Sequence, residues 1–158
     1  MRAQFFEWLT ADFDCEYVSR MASAESSDRR LLEDSFELAL LRDPDFPQLF
    51  YEILFRDHPT TRVLFRRNTP NAQRLMLSKT LAAALDHLDD DVWLTRELGP
   101  LGRGHVEFGV TPEMYDWVGA SLIAAIAEVC DEQWSPAHER AWTSALGRIA
   151  RAMLDEPH

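Results

Sequence analysis

The length, composition and charge of the chain exclude several classes of protein. Its 158 residues, of which 46% are hydrophobic, suit one domain with one apolar core. Its net charge of −11, from 27 acidic and 16 basic side chains, repels phosphate backbones and anionic lipid headgroups, so we expect neither nucleic acid nor a membrane surface as a partner.

The cysteines and the first residues indicate a cellular compartment. Cys15 and Cys130 are too few for a disulfide scaffold, although they leave a single bridge open. The apolar residues at positions 1–9 are soon followed by acidic ones, and no stretch reaches the roughly 20 apolar residues that span a bilayer. We therefore expect neither a secretory signal nor a transmembrane helix, and a reducing cytoplasm is the simplest location.

Residues 1–28 stand apart and are predicted to form an N-terminal extension with one short extra helix. Polar residues 23–28 are typical of a linker or a helix N-cap. Packing on the domain is the simpler interpretation. A dimerisation element or a partner site is the alternative, because five large apolar side chains outside the main domain need cover. These side chains are Phe5, Phe6, Trp8, Leu9 and Phe13.

From residue 29 to the C-terminus the pattern predicts an all-α domain. Apolar residues recur at spacings of three and four, and no segment shows the sustained alternation that is typical of strands. Prolines at 44, 47, 59, 70, 112 and 136 mark helix ends or first turns. The predicted helices run over residues 28–43, 45–58, 60–65, 69–88, 92–105, 111–129 and 135–154.

The segment between residues 89 and 105 contains a cap and a weak helix. The three aspartates at 89–91 are predicted to cap this helix, because carboxylates complement the positive end of the helix dipole. A calcium site is the alternative, but the glycine-punctuated loop of such sites is missing. We expect the helix to be broken at Gly99-Pro100 and loosened by Gly102 and Gly104, each of which costs about 1 kcal/mol relative to alanine.

The stretch from Gly102 to Val118 carries the most distinctive pattern. His105 ends one helix, and Thr111-Pro112 begins the next as N-cap and first-turn proline. Tyr115 follows the histidine by ten residues. Such a corner can direct an imidazole into the space between two helices.

The run from His105 to Tyr115, continued by Val118-Gly119 and residues 124–129, resembles the proximal region of bacterial haemoglobins, both flavohaemoglobins and their single-domain relatives. Two upstream spacings are also similar to those of that family. Tyr51 and Phe65 are fourteen residues apart, and Gln73 and His105 are thirty-two apart. The resemblance covers residues from about 29 to the C-terminus. It implies a globin fold, a three-on-three helical sandwich over residues 29–158, that holds haem b.

The resemblance also implies the roles of individual residues. His105 corresponds to the proximal iron ligand, and Tyr115 to a tyrosine beside the other nitrogen of the imidazole ring. Tyr51 and Gln73 correspond to a distal polar pair, whose hydroxyl and amide donors suit a gas molecule that gains negative charge. Phe65 would stack on the porphyrin. The remaining expected lining residues are Leu77, Leu81, Phe108, Val110, Val118 and Leu122.

The edge of the proposed site and its proximal network are less well defined. Arg66, Arg67 and Arg103 flank the site and are candidates for the haem propionates, although solvated surface arginines are an equal alternative. In the family the proximal tyrosine is linked to a glutamate near the end of the last helix. That position falls just beyond the last residue here, and neither Asp155 nor Glu156 is in register. Its absence weakens the case for oxygen activation.

Three functions follow from this interpretation. The first is a globin that binds O2 or another diatomic gas, NO or CO, as carrier, store or sensor. The second is a nitric oxide dioxygenase that works with a separate reductase, since no glycine-rich phosphate loop or strand–helix alternation marks a reductase in the chain. For this enzyme Tyr51 and Gln73 are the distal candidates. The third is a regulator without haem, in which His105 has lost its role.

Overall fold

The structure is a computed structural model that describes residues 15–155, and every element in that range is helical. Two short 3-10 helices, Pro59–Phe65 and Asp131–Gln133, accompany six α-helices. The α-helices are α1 (Cys15–Arg42), α2 (Phe46–Asp57), α3 (Pro70–Asp86), α4 (Asp91–Glu107), α5 (Pro112–Cys130) and α6 (Pro136–Leu154).

α1 runs without interruption through residues 23–28, so this polar stretch is not a linker. Its described side chains point into solvent, where serine and acidic groups need not compete with the helix backbone for hydrogen bonds. The apolar residues predicted to form an extra helix, at positions 5–13, lie outside the described residues. The domain boundary at residue 28 therefore stays a prediction.

Side chains cap three of the helices at their N-termini. Thr69 Oγ1 accepts a hydrogen bond from the backbone N–H of Ala72 at 3.2 Å, and Asp90 Oδ1 accepts from the N–H of Trp93 at 2.9 Å. Ser135 and His138 form a reciprocal capping box at the start of α6. The predicted aspartate cap is thus confirmed.

The neighbours of Asp90 form ion pairs. Asp89 lies 2.7 Å from Arg29, and Asp91 lies 3.0 Å from Arg148. These pairs connect the turn before α4 to α1 and α6. Within residues 15–155 no cluster of histidine, cysteine and acidic side chains is arranged to hold a metal ion.

The expectation that α4 is broken at Gly99-Pro100 was wrong. The helix is continuous from Asp91 to Glu107 with Pro100 inside it. The proline removes a hydrogen bond to the carbonyl of Arg96, but both residues are exposed, so water can reach that group. On the opposite face Leu94 and Leu98 are buried, and their packing stabilises a helix that its composition alone would not.

The six helices form two layers of three. α1, α3 and α4 make one layer, and α2, α5 and α6 make the other. α4 packs along α6, α3 packs on α2, and α1 crosses both α5 and α6. The hydrophobic core lies between the layers, as expected for a three-on-three helical sandwich.

A buried polar contact fixes the centre of this core. The side chain of Trp142 is fully buried, and its Nε1 donates a hydrogen bond to Ser35 Oγ at 2.9 Å. Ser35 in turn donates to the carbonyl of Leu31 at 2.6 Å, so the buried polar groups are paired. Cys130 is a buried free thiol. Within the described chain, no helix is long and apolar enough to cross a bilayer.

Candidate functional site

α3 and α4 are consecutive helices that carry Gln73 and His105, two residues of the candidate site. They are joined by the short turn at residues 87–90. Beside this turn the ring of His87 stacks on the ring of Trp93, with centroids 3.8 Å apart. Beyond this turn the two helices make few direct contacts in the described chain. Each helix packs on a member of the other layer instead. We call the region between α3 and α4 the slot; its closed end is the turn at residues 87–90, and its open end is the end opposite that turn.

His105 lies on the α4 side of the slot and is bonded at one ring nitrogen. Its Nδ1 lies 3.1 Å from the hydroxyl oxygen of Tyr115, which comes from the first turns of α5. Burial lowers the pKa of His105, which favours the neutral imidazole. When Nδ1–H donates to the phenol oxygen, Nε2 carries the free lone pair that a metal ligand requires.

Close packing of α4 on α6 sets the position of this histidine. A Cβ atom at Gly102 would collide with the backbone carbonyl oxygen of Met153, which no side chain can tolerate. Gly104, two residues later, has open space around it. Gly102 therefore permits the contact with α6 one turn before His105, whereas Gly104 has no such role. The sequence pattern marked both glycines only as weak points in the helix.

Tyr115 has one hydrogen-bond partner among residues 15–155, and that partner is His105. Behind the phenol lies a groove of about 430 Å³ between α5 and α6, lined in part by Gly147 and Ala150. Asp155 is exposed and does not bond the phenol, and Glu156 lies outside the described residues. Burial raises the pKa of Tyr115, so its hydroxyl stays protonated.

The distal polar residues lie together on the other side of the slot. The hydroxyl of Tyr51 donates a hydrogen bond to the backbone carbonyl of Gln73 at 3.3 Å. The Gln73 amide nitrogen donates to the backbone carbonyl of Phe65 and, at 3.5 Å, to that of Asn68. Both distal donors are thus bonded to the backbone rather than to each other.

The ring of Tyr51 is held by aromatic neighbours. It meets the ring of Phe65 edge-on, with centroids 5.4 Å apart, and it also contacts Phe50 and Phe55. Burial among these rings raises the pKa of Tyr51 to about 12. The phenol is therefore a hydrogen-bond donor over the whole physiological pH range.

The expected lining residues fall into three groups by burial. Leu81 and Leu122 are fully buried members of the core. A second group is half-buried. Three of its members, Phe65, Leu77 and Val118, pack against the core, and the fourth is Val110. Phe108 differs from both groups, because 49% of its surface is exposed at the end of α4.

One of the three candidate arginines makes a contact that the sequence did not reveal. The guanidinium carbon of Arg67 lies 5.0 Å from the centroid of the Phe108 ring. Arg66 is exposed beside it, and Arg103 is exposed on α4. Nothing in the spacing of residues 67 and 108 indicates this pairing, since it depends on how the start of α3 lies relative to the end of α4.

Comparison with known proteins identifies the family. A family model described as Globin matches residues 48–153, from α2 to the end of α6. The chain belongs to the globin family. This confirms the resemblance drawn from the sequence and the all-α globin fold. Members of this family bind haem and diatomic gases, and the chain is a haem-binding, gas-binding globin in that general sense.

Flavohemoproteins are among the relatives of this globin. Flavohemoprotein B of Dictyostelium discoideum is 30% identical over 113 residues, which cover 70% of this chain and 26% of that protein. The chain thus spans about a quarter of the length of this curated relative.

Solved structures share the fold. A bacterial globin from Campylobacter jejuni has a TM-score of 0.70 and 23% identity, covering 82% of this chain and 94% of its own. A flavohemoglobin from Malassezia yamatoensis with bound FAD and heme has a TM-score of 0.59 and 22% identity, covering 81% of this chain and 35% of its own.

The residues of the slot are compatible with a haem group. His105 offers a neutral imidazole whose Nδ1 is already bonded to Tyr115, which leaves Nε2 for a metal. Apolar side chains of the neighbouring helices, such as Leu77 of α3 and Val118 of α5, pack against the core. The donors of Tyr51 and Gln73 lie on the opposite side, where controlled polarity is needed.

Proposed function

We propose that this globin binds haem b between α3 and α4, with His105 as its proximal ligand, and that it binds O2 reversibly. The observation that carries the proposal is the hydrogen bond between His105 Nδ1 and the Tyr115 hydroxyl, together with the lowered pKa of the imidazole. A neutral histidine with one nitrogen bonded is prepared to coordinate a metal through the other. NO and CO are further ligands of the same site.

The bound haem would supply an iron centre with an open position for a diatomic gas. The remaining roles belong to this chain. Tyr115 would orient the His105 ring through the contact between its hydroxyl oxygen and Nδ1, and it would fix the tautomer by accepting the Nδ1 proton. Gly102 holds α4 against α6, which sets the depth of the histidine in the slot.

Tyr51 and Gln73 would donate hydrogen bonds to the bound gas molecule. A ligand that gains negative charge attracts the phenol proton more strongly than the neutral carbonyl of Gln73 does, because hydrogen bonds to charged acceptors are stronger. Tyr51 would therefore exchange its backbone partner for the ligand. Gln73 would have to leave the carbonyls of Phe65 and Asn68 to do the same. The distal hydrogen bonds thus form at the expense of existing ones.

Other residues would complete the cofactor site. We assign contact with the porphyrin to Phe65, Leu77, Phe108 and Val118, which lie at or near the surface of the core. Leu81 and Leu122 would support these residues from within the core. Arg66, Arg67 and Arg103 would meet the propionates by charge-assisted hydrogen bonds.

Absorption spectra of purified protein, reconstituted with haem, test the assignment. The wild-type protein and a His87→Ala variant should both give sharp ferrous and CO-bound spectra. His105→Ala should lose the wild-type ferrous spectrum, because the variant lacks the Nε2 atom that we propose as the iron ligand. Added free imidazole should restore it in part. An unchanged ferrous spectrum of His105→Ala would show that the proximal assignment is wrong.

A nitric oxide dioxygenase is the second candidate, supported by the flavohemoprotein relatives and by the distal donors Tyr51 and Gln73. In this function a separate reductase would supply the electrons. Rapid nitrate formation from NO and O2 with a supplied reductant would support the enzyme. Nitrate formation no faster than that of His105→Ala would exclude it and leave gas binding.

A sensor function and a dimer through residues 1–28 remain predictions, as does a cytoplasmic location. For a sensor, the N-terminal residues would contact a second subunit or a partner. Deletion of residues 1–14 provides the test, since it leaves α1 as described intact. Unchanged mass in solution and unchanged gas affinity would argue against both ideas for residues 1–14, which include all five of the large apolar side chains.

A further inference from the structure

Two side chains meet across the open end of the slot. Arg67 belongs to the turn that leads into α3, and Phe108 is the residue that follows α4. The guanidinium carbon lies 5.0 Å from the ring centroid, within the range of a cation–π contact. The contact joins the two walls of the slot at the end opposite the turn at residues 87–90.

The position of Phe108 is not explained by burial in the core. About half of its surface is exposed, although phenylalanines of the interior such as Phe46 and Phe50 are buried. The chain turns sharply after it, because Gly109 has a φ of +90°, a conformation that favours glycine. The Arg67 guanidinium is the group that the structure places over this half-exposed ring.

We propose that Arg67 and Phe108 form a latch that slows the release of haem from the slot. The proposal depends on the proposed function, since it requires haem between α3 and α4. The turn at residues 87–90 and the stacked rings of His87 and Trp93 bound the closed end, so we expect haem to leave by the other end. Haem that leaves by this end must separate Arg67 from Phe108, and their attraction opposes that movement.

A second arginine provides a matched control. The guanidinium carbon of Arg62 lies 4.9 Å from the centroid of the Phe55 ring, which is nearly the same geometry. This pair lies within one wall, because both residues belong to α2 and the 3-10 helix that follows it. Arg62→Gln removes the same charge and the same kind of contact without opening the slot.

The experiment measures the first-order rate at which haem passes from the reconstituted protein to excess apomyoglobin. Arg67→Gln and Phe108→Leu should each release haem about two to five times faster, the factor expected for a cation–π contact at an exposed site. Arg62→Gln should release it at the wild-type rate. Phe108→Trp should release it more slowly, because tryptophan is the stronger partner for a cation.

The double variant R67Q/F108L separates a latch from two independent contacts with the cofactor. If the residues act as a pair, the double variant releases haem no faster than the faster single variant. If Arg67 acts only on the propionates, the two effects multiply and the latch is refuted. Release by Arg67→Gln at the wild-type rate refutes it as well.

Failure of the latch and failure of the proposed function give different results. A wild-type protein that takes up no haem overturns both. A wild-type protein that takes up haem through His105, but releases it at the same rate as Arg67→Gln, overturns only the latch. In that case the gas-binding function stands.

Discussion

The two sides of the slot differ in how their polar groups are bonded. On the proximal side, His105 and Tyr115 bond through their side chains, so Nε2 of the imidazole is left for a metal. On the distal side, Tyr51 and Gln73 both donate to backbone carbonyls, and these bonds must break before either residue can reach a ligand. The proximal side is therefore preorganised, whereas the distal side has to rearrange.

This difference assigns the two sides to different steps of function. A preorganised proximal side favours cofactor binding, because little conformational freedom is lost when the metal is coordinated. A distal side that exchanges hydrogen bonds lowers gas affinity by the free energy of the bonds it gives up. Substitutions on the proximal side should therefore change haem retention, and those on the distal side should change gas release.

The largest effect is expected at the point where α4 meets α6. Gly102→Val should lower the free energy of unfolding by about 3 kcal/mol or more, because even the Cβ atom would collide with the Met153 carbonyl. Displacement of α4 from α6 should also weaken haem binding, since His105 lies one helical turn from Gly102. Thermal and urea unfolding of the apoprotein would measure the first effect.

Gly104→Ala is the control for this prediction. It introduces a side chain into the same helix, but nothing lies within 4 Å of the new Cβ atom. The variant should be as stable as the wild type or more stable by up to about 1 kcal/mol, because alanine favours the helix. Equal destabilisation by the two substitutions would show that the contact with Met153 is not what constrains α4.

The two glycines also show how far sequence reasoning reached. The helical periodicity, the prolines and the Asp90 cap predicted most helices to within a few residues, because those signals are local. Local reasoning also predicted that α4 would break at Gly99-Pro100, and the helix is continuous. Its stability comes from contacts with α6, which is far away in the sequence, and no local pattern reports them.

The same limit applies to the candidate site. The resemblance implied that Tyr115 lies beside the His105 ring, and the structure places the two side chains together at one helix–turn–helix corner. The resemblance also placed Tyr51 and Gln73 near each other, and the structure brings them together. Their bonds to backbone carbonyls could not be predicted, because these depend on the path of the turn between residues 65 and 70. The roles of these residues remain predictions.

On the distal side, Tyr51→Phe should have the second largest effect. Loss of the phenol removes a hydrogen bond to a partly charged ligand, so the O2 dissociation rate should rise about tenfold or more. Haem transfer to apomyoglobin should change little. Flash photolysis and stopped-flow mixing measure the gas rates. If haem retention fell as much as gas affinity, the two sides would not have separate roles.

A smaller effect is expected for Tyr115→Phe on the proximal side. Without the phenol oxygen, Nδ1–H of His105 has no acceptor, so the ring is less firmly oriented and a weaker electron donor. Haem loss should be faster by about tenfold or less, and the midpoint potential should become more positive. A change in stability alone would leave the potential unchanged, so potentiometry distinguishes a positioning role from a structural one.

The smallest effect concerns pH, because Tyr51 should keep its proton far above neutrality. With a pKa of about 12, raised by burial, only about 1% of this phenol is ionised at pH 10. The O2 dissociation rate of the wild type should therefore change less than twofold between pH 7 and pH 10. Above pH 10 the unfolded chain ionises before the folded one does, so stability should fall as the pH approaches 12. The O2 dissociation rate of Tyr51→Phe is the value expected when no phenol proton is available. If the wild-type rate rose to that value near pH 10, the phenol would not be buried as the structure shows.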